Sequence, residues 1–146
     1  MSNLLEFCKT GCNSTNDQDA IANPVNVLLV EDSEDEALLV EAMLSSAGPF
    51  RMRWAANLSS GLQQITEGGV DVVLLDLGLP DGKGPDSFYR MSRAARHVPI
   101  VVLTGDSSLH TELAVRERGA EDVLVKQQIG TEELVRAILQ ASRSKG

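Results

Sequence analysis

Hydrophobic runs and helical patterns alternate along this chain from residue 25 onwards. Continuous apolar runs are typical of strands that are buried on both faces of a sheet. Phe50, Met52 and Trp54 instead alternate with arginines, as in a half-exposed strand at the edge of a sheet. The pattern therefore predicts five strands, at residues 25–30, 50–54, 70–75, 99–103 and 122–125.

Apolar positions spaced three or four residues apart predict a helix after each of these strands. In the first helix we expect Ser33 to be the N-cap and Glu36 to complete a capping box. The predicted helices span residues 33–47, 58–67, 86–96, 109–118 and 131–142. This alternation predicts an α/β fold, with a doubly wound parallel sheet that carries helices on both faces.

Length and charge restrict the function classes more than they restrict the fold. The sequence has 146 residues, the length of one ordinary domain, with 13 basic and 21 acidic residues and a net charge of −8. This balance argues against binding to nucleic acid or to an anionic membrane, because both require a basic surface. No apolar run approaches the ~20 residues that span a bilayer, and no signal peptide is recognisable, so we expect a cytoplasmic location.

Residues 1–24 differ in character from the remainder of the chain. They are polar and show little periodicity, which predicts a flexible N-terminal arm before a folded domain at residues 25–146. Cys8 and Cys12 lie in this arm and are the two cysteines of the chain. No histidine or further cysteine is near enough in sequence to complete a metal site with them, and they imply no disulfide framework.

Polar residues follow four of the predicted strands at the points where these strands end. Glu31 and Asp32 come after the first strand, and Asp76 comes after the third. Thr104 follows the fourth strand and Lys126 the fifth. Because ligands of open parallel sheets bind beyond the carboxyl ends of the strands, we expect these side chains to share one crevice.

Each of these residues also has a structural explanation when it is taken alone. Glu31 and Asp32 stand before a helix, where negative charge stabilises the helix dipole. Asp76 is harder to explain in this way, because aspartate is depleted in strands and an unpaired buried carboxylate is costly. Together, the carboxylates would repel one another without a cation, and oxygen ligands of this kind suit Mg²⁺. Carboxylates, Mg²⁺, the Lys126 ammonium and the Thr104 hydroxyl can hold a phosphoryl group during transfer.

The residues at the strand ends resemble the receiver domain of two-component response regulators. The similar motifs are EDS after the first strand, DLGLPDGKG around Asp76, VVLTG around Thr104 and DVLVK ending at Lys126. The resemblance covers about residues 25–144. It implies a flavodoxin-like (βα)5 fold with strand order 2-1-3-4-5, and a signalling domain that catalyses only its own phosphotransfer and slow autodephosphorylation.

The resemblance also implies a role for each polar residue. Asp76 is the implied phosphoacceptor, and its donor would be a histidine kinase or a histidine-containing phosphotransfer protein. The implied Mg²⁺ ligands are Asp32, Asp76 and the backbone carbonyl of Gly78, with Glu31 acting through water. Lys126 would pair with Asp76 or with its phosphoryl oxygens. Thr104 would donate a hydrogen bond to the phosphoryl group and move inward to signal its presence. The backbone N–H groups near Leu77 and Gly105 would make further contacts with the phosphoryl group.

The sequence departs from the receiver pattern at positions that affect output. Receivers commonly carry an aromatic residue three positions before the lysine and a proline after it, where this chain has Val123 and Gln127. The short side chain of Val123 cannot swing between exposed and buried positions as an aromatic ring does. A cis bond between Lys126 and Gln127 would cost about 2.5–4 kcal/mol, so we expect this bond to be trans and the loop to be reshaped. Gly78 and Asp106 stand where receivers tune the phosphoryl lifetime, which we expect to be moderately short. Phosphorylation is therefore expected to persist, with an unusual readout surface.

Other interpretations stay open on the sequence alone. If the chain is complete, it is a stand-alone receiver that binds an unidentified downstream protein, with homodimer formation as an option; otherwise it is a fragment of a larger regulator. A degenerate receiver that binds partners without phosphate is a second interpretation. A haloacid-dehalogenase-like phosphatase is a third, although in that class the nucleophilic aspartate follows the first strand and the acidic pair comes late, the reverse of the order seen here.

Overall fold

The computed structural model describes residues 23–82, 84–105 and 108–144. Most of the predicted N-terminal arm lies outside these residues. The five strands are β1 (Val25–Val30), β2 (Phe50–Ala55), β3 (Val72–Asp76), β4 (Ile100–Thr104) and β5 (Asp122–Val125). The described residues also form the α-helices α1 (Glu34–Ala47), α2 (Leu58–Glu67), α3 (Pro85–Ala94), α4 (Leu109–Glu117) and α5 (Thr131–Ser144). A single 3-10 turn over Lys126–Gln128 follows β5.

The strands form one parallel sheet in the order β2-β1-β3-β4-β5, which confirms the predicted fold. Three strands end one residue later than predicted, because the sheet also pairs Ala55 of β2 with Val30, Asp76 of β3 with Leu103 and Thr104 of β4 with Val125. The two polar residues are therefore the last members of β3 and β4 and are fixed by the sheet.

Two hydrophobic layers hold the helices on opposite faces of the sheet. Leu28, Val30 and their neighbours pack with α2, α3 and α4. Val27, Leu29 and their neighbours pack with α1 and α5. Full burial of an aliphatic side chain of this size contributes about 1.5–3 kcal/mol, so the central strands anchor the edge where the polar residues meet. No helix in the described part of the chain is long and apolar enough to cross a membrane.

The start of α1 differs from the predicted capping box. Ser33 is the N-cap, and its hydroxyl accepts a hydrogen bond from the Glu36 N–H at 3.3 Å. The Glu36 carboxylate was expected to return to the Ser33 N–H, and this prediction was wrong. Glu31 Oε2 accepts from the Ser33 N–H instead, at 3.1 Å. The Glu36 carboxylate is left to bind Lys126.

Candidate functional site

A cavity of about 440 Å³ opens at the edge of the sheet where the strands end. It is lined by Glu31, Asp32, Ser33, Glu36, Asp76, Leu77, Gly78, Gly84, Thr104, Gly105, Thr111 and Lys126. All five polar residues that follow the predicted strands line it. Sequence order and the parallel topology are enough to bring them together, since each strand delivers its last residue to the same edge.

Asp76 lies at the floor of this cavity, with only 3% of the residue exposed. Its Oδ1 accepts a hydrogen bond from the Gly78 N–H at 3.0 Å and lies 3.2 Å from Lys126 Nζ. A Cβ added at Gly78 would sit 3.6 Å and 3.8 Å from the two carboxylate oxygens. Because glycine has no such atom, the approach to Asp76 is open on that side.

Glu31, which directly follows β1, is buried, with 2% of the residue exposed. Its Oε1 lies 2.9 Å from Lys126 Nζ, and its Oε2 accepts from the Ser33 N–H. Burial raises the pKa of Glu31 to about 7, and the negative charge of Asp76 adds to this rise against the opposing effect of Lys126. Both carboxylate oxygens are thus engaged by donors of the protein, which fits a role through water better than direct metal ligation.

Lys126 stands at the centre of three carboxylates. Its Nζ lies 2.9 Å from Glu31 Oε1, 2.5 Å from Glu36 Oε1 and 3.2 Å from Asp76 Oδ1. Burial alone lowers the pKa of Lys126, but the hydrogen bonds to Glu36 and Glu31 and the charge of Asp76 outweigh it and raise the pKa above its usual range. The same hydrogen bond lowers the pKa of Glu36. Lys126 is therefore a fixed ammonium.

Glu31, Asp32 and Asp76 form an acidic group that could hold a metal ion. One carboxylate oxygen from each residue lies within 4.8 Å of the others. Asp32 is exposed, whereas Glu31 and Asp76 are buried. Hard oxygen donors with an open, hydrated side are what Mg²⁺ requires, so the donor set fits this ion.

The groups that were predicted to contact a phosphoryl group differ in their exposure and in their hydrogen bonds. Thr104 is buried at the end of β4, and Gly105 beside it is exposed to the cavity. The N–H of Leu77, the residue that follows β3, already donates to the backbone oxygen of Leu103 in β4 at 3.2 Å. The backbone N–H that binds the Asp76 carboxylate belongs to Gly78.

Val123 and Gln127, the two positions that depart from the receiver pattern, lie on either side of Lys126. Val123 is half-buried and packs against the core layer of α2, α3 and α4. No peptide bond in the described residues is cis, which confirms the trans Lys126–Gln127 bond. The chain enters the 3-10 turn at this point, so the loop shape comes from that turn. Asp106, which the sequence predicts to tune the phosphoryl lifetime together with Gly78, lies outside the described residues.

Three contacts at the site were not foreseen from the sequence. Glu36 reaches Lys126, as described above. The Trp54 indole N–H donates to the backbone oxygen of Glu31 at 2.6 Å, so the edge strand β2 contacts a residue that lines the cavity. Asp81 accepts from the N–H groups of Leu58 and Ser59, at 2.8 Å and 3.0 Å, and ties the loop after β3 to the start of α2. Each contact depends on packing between elements that are distant in sequence, so periodicity carries no signal for it.

The sequence is similar to a known family over most of its length. The family model of the response regulator receiver domain matches residues 27–139. The cell cycle transcriptional regulator CtrA of Caulobacter vibrioides is 33% identical over 122 residues, which cover 84% of this chain and 52% of CtrA. The KDP operon transcriptional regulatory protein KdpE of Escherichia coli is 37% identical over 101 residues, covering 69% of this chain and 44% of KdpE. The chain thus spans about half the length of these relatives.

A solved structure supports the same fold. The signal receiver domain of an HD domain-containing protein from Pseudomonas fluorescens superposes with a TM-score of 0.75 and is 25% identical. The match covers 84% of this chain and 98% of that domain. The strand order observed here is therefore that of receiver domains.

Proposed function

This chain belongs to the response regulator receiver family, and on that basis we propose that Asp76 is the phosphoacceptor of a two-component phosphorelay. The observation that carries the proposal is the buried Asp76 carboxylate, which faces Lys126 at 3.2 Å inside a cavity that also holds Glu31 and Asp32. The proposed donor is a phosphohistidine of a histidine kinase or of a phosphotransfer protein. The proposed result is a change in which proteins the domain binds.

The chemistry is a transfer between two carrier side chains. A carboxylate oxygen of Asp76 attacks phosphorus and forms a P–O bond, while the P–N bond of the donor breaks and the imidazole takes its electron pair. Lys126 supplies a fixed positive charge beside Asp76 Oδ1, where the phosphoryl oxygens arrive. Thr104 supplies a hydroxyl on the adjacent strand. The product is an acyl phosphate on Asp76.

Electrostatics explain why this site needs a divalent cation. Among the described residues that line the cavity, Glu31, Asp32, Asp76 and Glu36 supply carboxylates and Lys126 supplies one ammonium. An incoming phosphoryl group adds further negative charge, which such a site would repel. Mg²⁺, held by Asp32, Asp76 and the Gly78 carbonyl, would neutralise this charge when bound.

The proposed output is a protein contact made by the folded domain at residues 25–146. The named relatives are transcriptional regulators, and this chain spans about half of their length, so their whole activity is not carried over. Val123 is packed against the core where receivers commonly carry an aromatic residue. We propose that movement of Thr104 is transmitted through its neighbouring loops to the surface of α4 and β5, in a cytoplasmic setting.

The proposal is tested by incubating the protein with a small-molecule phosphodonor and Mg²⁺ and measuring its intact mass. We expect a gain of one phosphoryl group in the wild type and no gain in Asp76→Asn. Asp35→Asn is the matched control, because it removes the same charge from an exposed position in α1 that does not line the cavity. We also expect EDTA to suppress the gain.

The other outcomes identify the competing functions. No gain with any donor, including a histidine kinase, would contradict the proposal and favour a phosphate-independent binding module. Repeated turnover of a phosphomonoester would favour a hydrolase instead. A gain that persists in Asp76→Asn would place the acceptor elsewhere.

A further inference from the structure

Glu36 contacts the phosphoacceptor site but does not belong to its acidic group. Its Oε1 lies 2.5 Å from Lys126 Nζ, the shortest of the three carboxylate contacts of that ammonium. The acidic group that could hold a metal ion consists of Glu31, Asp32 and Asp76, and Glu36 is not part of it. Glu36 therefore acts on the site through Lys126.

The ammonium of Lys126 is shared among three carboxylates, with hydrogen bonds to Glu36 and Glu31 and an ion-pair contact to Asp76. A lysine Nζ carries three N–H donors, and Lys126 faces three carboxylates. A phosphoryl group on Asp76 can be bound by Lys126 only if one of these contacts is released. The contact to Asp76 itself, at 3.2 Å, is the longest, so Nζ is displaced from the acceptor toward the other two carboxylates.

We propose that Glu36 is a positioning residue that competes with the phosphoryl group for Lys126 Nζ and thereby slows phosphorylation of Asp76. This inference rests on the proposed function of Asp76. Two effects act in the same direction. Glu36 holds the ammonium away from the acceptor, and its own negative charge opposes an incoming anionic donor.

Glu36 is also the partner that can be released at the lowest cost. Its side chain is 49% exposed, whereas that of Glu31 is 2% exposed and has both oxygens engaged. A freed Glu36 carboxylate reaches water, but a freed Glu31 carboxylate stays buried with an unpaired charge. Glu36 also keeps a favourable place in the first turn of α1, next to the helix N-terminus.

The test compares Glu36→Gln with Glu34→Gln. Both variants remove one negative charge from the first turn of α1, but Glu34 lines a different groove, beside Trp54. The readout is the initial rate of phosphorylation by a small-molecule donor in saturating Mg²⁺, followed by intact mass. We expect Glu36→Gln to react about 3- to 5-fold faster than the wild type, the range expected for loss of a half-exposed ion pair, with Glu34→Gln near the wild-type rate.

A spectroscopic readout separates positioning from a general effect on the fold. The chain has four lysines, so a spectrum of ¹⁵N-labelled lysine side chains contains few signals, and Lys126→Arg identifies the Lys126 ammonium. We expect slow proton exchange at this ammonium in the wild type and in Glu34→Gln, and faster exchange in Glu36→Gln.

Two results would overturn the inference. One is an equal or lower phosphorylation rate in Glu36→Gln while the wild type is phosphorylated normally. The other is an unchanged Lys126 ammonium signal in Glu36→Gln, which would show that the ion pair is absent. If no variant and no wild-type protein is phosphorylated, the proposed function fails instead, and the ammonium signal still decides whether Glu36 holds Lys126.

Discussion

Replacement of Lys126 by methionine removes the only cation that lines the described cavity. In its absence, Glu31 and Asp76 are two buried carboxylates without a positive partner, and their side chains are 2% and 4% exposed. Removal of one partner from a buried ion pair destabilises proteins by about 3–5 kcal/mol. Lys126 is 21% exposed and Glu36 is 49% exposed, so water moderates the effect, and we expect a loss of about 2–3 kcal/mol.

The assay is thermal unfolding in EDTA, where no divalent cation compensates the carboxylates. For a domain of this length the expected loss lowers Tm by about 8–12 °C. Adding Mg²⁺ should restore more stability to Lys126→Met than to the wild type, because a ligand that binds only the folded state stabilises it. Lys126→Arg, which keeps the charge, is the control and should lose much less.

Two results would refute this reasoning. If Lys126→Met unfolds at the wild-type temperature in EDTA, the three carboxylates do not depend on the ammonium. If Mg²⁺ stabilises both proteins equally, Lys126 does not share the acidic group with the metal.

Three further predictions concern the surroundings of the site. Asp81→Asn should destabilise the protein by about 0.5 kcal/mol at neutral pH, because Asp81 accepts from two N–H groups at the start of α2 from an exposed position. Those hydrogen bonds hold the pKa of Asp81 below its ordinary value of 3.8. The contribution of Asp81 to stability is therefore full above that pH and is lost as the pH falls through the pKa of the folded state. Denaturant curves at neutral and acid pH check both points. Gly61→Ala should cost about 1 kcal/mol net in the same assay, because the gain in helix propensity is outweighed by a Cβ only 2.9 Å from Val30 Cγ2. The fluorescence of Trp54, whose indole binds the Glu31 backbone, should change with Mg²⁺ in the wild type and not in Asp32→Asn; an equal change in both would contradict the metal site.

The fold could be predicted because its determinants are local in the sequence. Buried strands appear as continuous apolar runs, and the helices between them show their own periodicity. The strand ends were less certain, because the sheet pairs Asp76 with Leu103 and so extends β3 to a residue that sequence propensity disfavours in strands. Tertiary pairing outweighs that propensity.

The polar residues of the site could also be predicted to lie together, because parallel strands deliver their last residues to one edge. Their partners could not. Glu36 stands at a plausible capping-box position, yet its carboxylate turns to Lys126, which is distant in sequence. The Ser33 N–H, which the capping box would pair with the Glu36 carboxylate, donates to Glu31 instead. Which of two nearby carboxylates binds a given donor is decided by the packing of α1 against the sheet, and no sequence pattern records it.

The position of the phosphoryl group tests the central claim most directly. Hydroxylamine converts an acyl phosphate into a stable hydroxamate but leaves a phosphorylated hydroxyl group intact. After treatment with a phosphodonor and Mg²⁺, then hydroxylamine, peptide mass spectrometry should find the hydroxamate at Asp76 alone. A phosphoryl group retained on Thr104, a hydroxamate at Glu31 or Asp32, or an unmodified protein would contradict the account.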